Sequence, residues 1–148
     1  MNNPPHIHLQ LVSDPIYLSG ARELIAAVSR RLGFNEEACG QIALAVDEAL
    51  CNIIRHGYDK RKDAPIWLNL WPSVDGQPGL TLVIEDEAKQ VDVEQIKGRD
   101  LEEVRPGGLG VHIIREVMDV ARFEKREKAG MRLTLQKRRP LEPAKGGA

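Results

Sequence analysis

The stretch Leu44-Ala-Val-Asp-Glu-Ala-Leu-Cys-Asn-Ile-Ile-Arg-His-Gly-Tyr58 contains two polar residues, Glu48 and Asn52, that stand four positions apart. In a helix of about 3.6 residues per turn, positions i and i+4 share one face. The apolar residues of this region fall on a separate stripe, namely Ile42, Val46, Ala49, Leu50 and Ile53. The pattern therefore predicts a helix on which Glu48 and Asn52 project together, away from the core.

A carboxylate beside a carboxamide oxygen suits two kinds of chemistry. The two oxygens can hold a hydrated magnesium ion, because hard cations take oxygen ligands. The carboxylate can also accept a proton from an attacking hydroxyl group. The spacing alone favours a simpler interpretation, a solvated helix face, because polar i,i+4 pairs are common on amphipathic helices. The rest of the chain reverses that preference.

Two further elements follow in the chain. One is an acid after an apolar run, in Leu80-Thr-Leu-Val-Ile-Glu-Asp86-Glu-Ala88. The other is a glycine cluster that runs into a helical pattern, Arg105-Pro-Gly-Gly-Leu-Gly-Val-His-Ile-Ile114. Glycines let the backbone approach a phosphate, and a helix start offers free N–H groups and the positive end of a dipole. Taken alone, each element also fits an ordinary turn.

Taken in order, the three elements resemble the boxes of the GHKL superfamily of ATP-binding domains, the histidine-kinase-like ATPases. Within that superfamily, the segment Glu-Ala-x-x-Asn-x-x-x-His-Gly-Tyr resembles the bacterial anti-sigma factor serine/threonine kinases. The resemblance covers roughly residues 6 to 138. It implies a homodimeric protein that uses ATP and Mg2+.

The chain pattern and the resemblance both predict an α+β fold. The expected architecture is a two-layer sandwich of the GHKL (Bergerat) type, with a mixed, mostly antiparallel sheet and helices on one of its faces. Strands are predicted at 6–12, 66–71, 80–84, 121–124 and 131–135. Helices are predicted at 16–32, from the N-cap Asn35 to Gly57, at 91–97 and around 111–118. Residues 1–138 form one predicted domain, and residues 139–148 a flexible tail.

The resemblance implies a role for each matching position. Glu48 corresponds to the general base that takes the proton of a serine or threonine hydroxyl. Asn52 corresponds to the magnesium ligand, and Asp86 to the acceptor of a hydrogen bond from the adenine amino group. A lid at about 97–109 would cover ATP, with Gly108, Leu109 and Gly110 on its phosphate side. Thr134 corresponds to a strand threonine near adenine, although threonine is common in strands for other reasons.

One position departs from the family pattern. The second box commonly reads Asp-x-Gly, whereas this chain has Asp86-Glu87-Ala88. Alanine suits a negative φ, and a required positive φ would cost about 1 kcal/mol or more. Ala88 is therefore predicted to line the nucleotide site, and the backbone conformation there decides whether the missing glycine matters.

Composition is consistent with this interpretation. The 148 residues suffice for one hydrophobic core, and the net charge of −1 gives no sign of a nucleic-acid or membrane surface. No apolar run reaches the roughly 18 residues of a membrane span, and the N-terminus does not resemble a signal peptide, so a cytoplasmic location is expected. Cys39 and Cys51 are expected to be reduced thiols, because they lack the spacing of a metal or disulfide motif.

Two functions from different classes fit these observations. The first is an ATP- and Mg2+-dependent serine/threonine kinase that sequesters a sigma factor and phosphorylates an anti-sigma factor antagonist. The second is a non-catalytic partner-switching regulator that binds nucleotide and captures its protein partner without turnover. Glu48 favours the first function, because pure binding requires Asn52 and Asp86 but no base. Ala88 favours the second.

Overall fold

The computed structural model describes residues 3–96 and 110–140. Their order along the chain is a strand, two helices, a β-hairpin, a third helix and a second hairpin. The strands are β1 (Ile7–Val12), β2 (Pro65–Val74), β3 (Gln77–Asp86), β4 (Val120–Lys125) and β5 (Met131–Arg138). The α-helices are α1 (Leu18–Arg31), α2 (Glu36–Asn52) and α3 (Gly110–Val117).

The five strands form one sheet in the order β1-β2-β3-β5-β4, and every pairing is antiparallel. Alternate side chains of the strands point to opposite faces. Residues such as Ile66, Leu68 and Leu135 are fully buried and belong to the same core cluster as Ile42 and Leu50 of α2. The predicted α+β class, a sheet with helices packed against it, is confirmed.

Local sequence signals mark both ends of α1 and the start of α2. Asn35 caps α2, and its side-chain oxygen accepts a hydrogen bond from the N–H of Ala38 at 2.8 Å. Gly33, after the end of α1, has φ +100°, a conformation that glycine adopts without strain. A 3-10 helix, Pro15–Tyr17, precedes α1 and accounts for the first part of the helix predicted from residue 16.

The end of α2 differs from the sequence prediction. The α-helix stops at Asn52, and a π-helical turn, Ile53–Gly57, completes the segment. The N–H of Tyr58 donates to the carbonyl of Ile53 at 2.8 Å, the longer spacing of such a turn. Glu48 and Asn52 therefore occupy the last full α-helical turn, directly before the wider one.

The predicted strand ends leave a loop of eight residues, 72–79, between the second and third strands, and this prediction is wrong. The turn consists only of Asp75 and Gly76, with φ +49° and +77°. Positive φ at both central positions is the type I′ geometry that Asp-Gly favours in hairpins. The strands therefore extend through Pro72 and Pro78, and a register shift between Trp71 and Ser73 accommodates the first proline.

The remaining elements agree in position with their predictions. The helix expected at 91–97 is a 3-10 turn, Val93–Gln95, and Gly130 in the last hairpin has φ +86°. Both cysteines are free. No helix in the described ranges is long and apolar enough to cross a membrane. The predicted lid at 97–109 and residues 141–148 of the predicted tail lie outside the described residues.

Candidate active site

A cavity of about 460 Å3 lies between the C-terminal part of α2 and the adjoining ends of β3 and β5. Apolar core side chains form much of its wall, and a few polar groups point into it, as is usual for small-molecule sites. The polar side chains of the lining are Asn52, His56, Asp59, Asp86, Lys89 and Gln95. Asn52 and Asp86, predicted from separate parts of the sequence, therefore line the same cavity.

Asp86 is held in place by the backbone around it. Its Oδ1 accepts hydrogen bonds from the N–H groups of Ala88 at 2.9 Å and Met131 at 3.1 Å. Among the described residues, Oδ2 has no hydrogen-bond partner, although the residue is only 4% exposed. The carboxylate is therefore fixed through one oxygen and can offer the other to a ligand in the cavity.

Burial raises the pKa of Asp86 above its ordinary value, because desolvation disfavours the charged form. The hydrogen bonds from Ala88 and Met131 and the positive charge of Arg126 act in the opposite direction. A buried acid with a free oxygen inside a cavity is a candidate functional residue. As an ionised group it can only accept hydrogen bonds, which suits an amino group of a ligand.

The segment after Asp86 is tied to the loop that follows α2. The hydroxyl of Tyr58 accepts a hydrogen bond from the N–H of Glu87 at 2.6 Å and donates one to the carbonyl of Pro65 at 2.6 Å. The tyrosine of the His-Gly-Tyr segment therefore holds the second box against the first. The His-Gly-Tyr segment marks Tyr58 in the sequence, but nothing local indicates that its hydroxyl contacts Glu87.

Glu48, Asn52 and Gly110 meet beside the cavity. A Cβ at position 110 would lie 2.7 Å from Glu48 Oε2 and 3.4 Å from both Asn52 Oδ1 and Nδ2. Such a Cβ would force the carboxylate at the end of the flexible Glu48 side chain to shift, so glycine at 110 lets α3 begin beside the pair without displacing it. Asn52 lines the cavity, whereas Glu48 lies one turn earlier, next to Gly110 and outside the lining.

No group of three or more His, Cys, Asp or Glu side chains within the described parts of the chain could hold a metal ion. Asn52 offers a single carboxamide oxygen. Magnesium is usually held by one or two protein oxygens together with waters and phosphate oxygens of a substrate. The donor set therefore fits a magnesium ion that arrives with a phosphorylated ligand.

The backbone at Ala88 adopts a conformation that alanine tolerates. Ala88 does not have a positive φ, so alanine adds no backbone strain there. Its side chain lines the cavity. A Cβ at Gly57, at the end of the π-helical turn, would lie 2.8 Å from the Ala88 Cβ. The methyl group of Ala88 therefore occupies space that is left free by glycine at 57.

The structure does not bring Thr134 to the cavity. Met131 and Leu133 of β5 line it. Because side chains alternate along a strand, Thr134 lies on the opposite face of the sheet, between Val83 and Arg122 in the register. Gly108 and Leu109 lie outside the described residues.

Two lining residues, His56 and Lys89, are absent from the site expected from the sequence. The signal for His56 is its place one turn after Asn52, in the wider π-helical turn. No local pattern identifies Lys89.

The fold and the site define an α+β domain with an apolar small-molecule cavity between α2 and an antiparallel sheet, lined by Asp86 and Asn52. Comparison with known families places the chain more narrowly. The family described as histidine kinase-like ATPase domain matches residues 11–137. The chain belongs to this ATPase family and, within it, to the group of the RsbW serine-protein kinases.

Two relatives illustrate the assignment to the RsbW group. A serine-protein kinase RsbW of Listeria monocytogenes is 31% identical over 121 residues, which are 76% of this chain and 75% of the relative. The RsbW of Oceanobacillus iheyensis is 28% identical over 127 residues, 80% of this chain and 78% of the relative.

A solved structure supports the fold alone. The crystal structure of the RsbU and RsbW domains of a Mycobacterium tuberculosis protein aligns with a TM-score of 0.64 at 18% identity. The alignment covers 93% of this chain and 34% of that one, so this chain spans about a third of the larger protein.

Proposed function

We propose that the chain is a Mg2+- and ATP-dependent protein serine/threonine kinase that acts as an anti-sigma factor in the cytoplasm. It would sequester a sigma factor and phosphorylate an anti-sigma factor antagonist, as a homodimer. One observation carries the kinase part of the proposal: Glu48 and Asn52 meet Gly110 beside a cavity that has the free oxygen of Asp86 at its other end.

The residues present fit ATP with magnesium. The free oxygen of Asp86 suits the amino group of adenine, and a guanine base would present a carbonyl oxygen to it instead. Asn52 would hold the magnesium ion, and the N–H groups at the start of α3 would face the phosphates. ATP supplies the phosphoryl group, and magnesium neutralises its charge. Glycine at 110 would bring this helix start close to the Glu48 and Asn52 side chains.

Glu48 is the general base of the proposal. Its carboxylate lies beside Gly110 rather than inside the cavity, where a serine or threonine side chain of a protein substrate can reach it. It would accept the hydroxyl proton as the oxygen attacks. Asn52, one turn later on the same face, would bind the metal, so the two residues divide recognition from proton transfer.

The alternative is a nucleotide-binding regulator that captures its partner without phosphorylation. The observation that favours it is the methyl group of Ala88 in the cavity wall, where the family commonly has glycine. Against it stands the conformation of Ala88, which gives alanine no strain. A regulator that only captures its partner would also not need Glu48 as a general base. The kinase is therefore the better-supported function.

The first experiment is calorimetric titration with ATP, ADP and GTP, each with and without magnesium. We expect adenine-selective binding that strengthens with magnesium in the unsubstituted chain. In Asn52→Ala, the gain from magnesium should disappear, because the carboxamide oxygen that would bind the ion is lost. Asn69→Ala is the matched control, since Asn69 contacts His8 across the β1–β2 pair, away from the cavity.

Radiolabelled phosphate transfer to candidate antagonist proteins then separates the two functions. Transfer to a serine or threonine of one of them supports the kinase. Magnesium-dependent ATP binding together with a tight protein complex and no transfer would establish the capture regulator instead. Failure of ATP, ADP and GTP alike to bind at millimolar concentration would overturn both.

A further inference from the structure

Arg126, at the start of the turn of the second hairpin, makes three contacts around Asp86. Its Nη1 donates a hydrogen bond to the main-chain carbonyl of Asp86 at 2.6 Å. Its Nε lies 3.1 Å from Glu85 Oε2, and the guanidinium lies over the Trp67 ring, 5.2 Å from the centroid. An arginine with three different partners, all of them on β2 and β3, is held in one orientation.

The carbonyl that Arg126 reaches stands where the regular sheet bonding ends. The last residue pair between β3 and β5 is Glu85 with Arg132, and Asp86 lies one position beyond it. A backbone carbonyl at such a place needs a donor from elsewhere, because leaving it unpaired inside the protein costs free energy. The guanidinium of Arg126 supplies that donor, and this hydrogen bond fixes the position of the Asp86 backbone.

The hairpin turn closes on the same point. A Cβ at Gly130 would lie only 1.8 Å from the Asp86 carbonyl oxygen, so the two backbones touch. Gln90 Nε2 donates to the carbonyl of Arg126 at 2.6 Å and to that of Gly130 at 3.2 Å. The hairpin turn and the segment after Asp86 therefore form one cross-linked unit, with Arg126 between the cavity and the open face of the sheet.

We propose that Arg126 is a positioning residue for nucleotide recognition: it holds the backbone of Asp86 so that the free carboxylate oxygen meets the adenine amino group. This rests on the proposed function of Asp86. Arg126 itself does not line the cavity and touches no part of a nucleotide there. It acts from the opposite face of the sheet, where the side chains of Trp67 and Glu85 hold it.

Arg132 provides a matched control. It also contacts Glu85 Oε2, at 3.2 Å, and lies on the same face of the sheet. Unlike Arg126, it makes no hydrogen bond to Asp86. Arg126→Met and Arg132→Met therefore each remove one positive charge and one ion pair with Glu85. Only Arg126→Met also removes the hydrogen-bond donor to the Asp86 carbonyl.

The test compares two ligands within each variant. Calorimetry measures the affinity for ATP and for purine riboside triphosphate, an ATP analogue without the exocyclic amino group, both with magnesium. A hydrogen bond to a charged acceptor predicts that the unsubstituted chain prefers ATP by about tenfold or more. Arg126→Met should reduce this preference at least about fivefold, and Arg132→Met should leave it within about twofold.

The ratio separates positioning from general damage. A purely structural loss weakens both ligands equally and keeps their ratio, which would overturn the proposal for Arg126 alone. Equal affinities for the two ligands in the unsubstituted chain would overturn the base contact of Asp86, and the role of Arg126 with it. Asp86→Asn, which removes the charged acceptor, is the reference for complete loss of the preference for ATP.

Trp67→Leu gives a second, independent test should Arg126→Met fold poorly. It removes the aromatic ring under the guanidinium and leaves the hydrogen-bonding groups of Arg126 and Asp86 unchanged. We expect a smaller fall in the ATP preference, about twofold, because cation–π contacts at such sites are weak. If Arg126→Met folds, an unchanged preference in that variant overturns the proposal. If it does not fold, an unchanged preference in Trp67→Leu does so.

Discussion

The two ends of the cavity are built differently. At the end proposed to hold the base, here the base end, Asp86 has one carboxylate oxygen fixed by two N–H groups, and its carbonyl is bonded to Arg126. At the α2 end, Asn52 in the lining and Glu48 just outside it have no side-chain hydrogen-bond partner among the described residues. One end is bonded into the sheet, whereas the other presents two polar groups on a helix face.

This difference matches two kinds of task. Recognition of a planar base requires an acceptor at a fixed place, and fixed groups lose little entropy when a ligand binds. Handling of a metal and a reacting hydroxyl group requires groups with free lone pairs. The contrast leads to four tests, each of which acts on one end of the cavity or on the wall between the ends.

Glu48→Gln should have the largest effect, and only on turnover. Loss of a general base lowers the rate of phosphoryl transfer by about 10²–10⁴-fold. The affinity for ATP with magnesium should change by less than about threefold, because Glu48 does not line the cavity. Single-turnover transfer and calorimetry measure the two quantities. The neighbouring Asp47→Asn, which loses only an ion pair with Arg22, should transfer at a normal rate. Equal loss of binding and transfer would contradict the division between the two ends.

Gly130→Ala should damage the base end instead. The added Cβ would meet the Asp86 carbonyl, and φ at 130 is +86°. We expect a loss of about 3 kcal/mol or more in unfolding free energy, from the clash together with the unfavourable φ. Chemical denaturation measures it. In Gly76→Ala, φ is similarly positive at +77° but the Cβ meets open space, so the loss should be only about 1 kcal/mol. A similar loss in both variants would show that the contact with Asp86 is unimportant.

Gly57→Ala should affect the wall between the ends. Its Cβ would lie 2.8 Å from that of Ala88, and overpacking of this kind costs about 1–3 kcal/mol. The double variant with Ala88→Gly should recover most of the loss, because the colliding methyl group is removed. Thermal unfolding and ATP titration measure this coupling. Gly40→Ala, whose Cβ meets nothing within 4 Å, is the control and should not destabilise the helix. Additive losses in the double variant would refute the proposed contact.

The dependence of ATP binding on pH should show the smallest effect. Burial raises the pKa of Asp86, and the adenine amino group requires the ionised acceptor. ATP binding should therefore be complete above this raised pKa and should weaken as pH falls through it. Arg126 lowers this pKa and Glu85 raises it, so Arg126→Met should move the loss to higher pH. Purine riboside triphosphate corrects for titration of the phosphates. The same pH dependence for both ligands would exclude Asp86 as its source.

Much of the helical layer followed from local sequence. The N-cap Asn35, the stop at Gly33 and the shared face of Glu48 and Asn52 depend on neighbouring residues only. The turn at Asp75 and Gly76 was equally local, and the prediction failed because the two prolines of the hairpin were treated as breaks in the strands. A proline is tolerated in a strand at a bulge or where its missing donor faces no partner.

The cavity was only partly predictable. Asn52 and Asp86 were identified through the order of the motifs, and the structure places both in the lining. The family resemblance assigns Thr134 to the site, but its side chain lies on the other face, because it stands three positions after Met131 and strands alternate with period two. Residue type predicts chemistry, whereas parity along the strand decides which side chain meets the ligand.

Residue patterns were enough to predict the class of fold, the family and the pairing of a carboxylate with a carboxamide on one helical turn. That Gly110 meets this pair, and that Arg126 and Gly130 hold Asp86, is visible only in the folded chain. The physical reason is the range of the interactions. Helix faces and caps depend on the backbone angles of adjacent residues, which sequence patterns record. Contacts between residues about 40 or more positions apart depend on the register of strands and the packing of layers, which no local pattern contains.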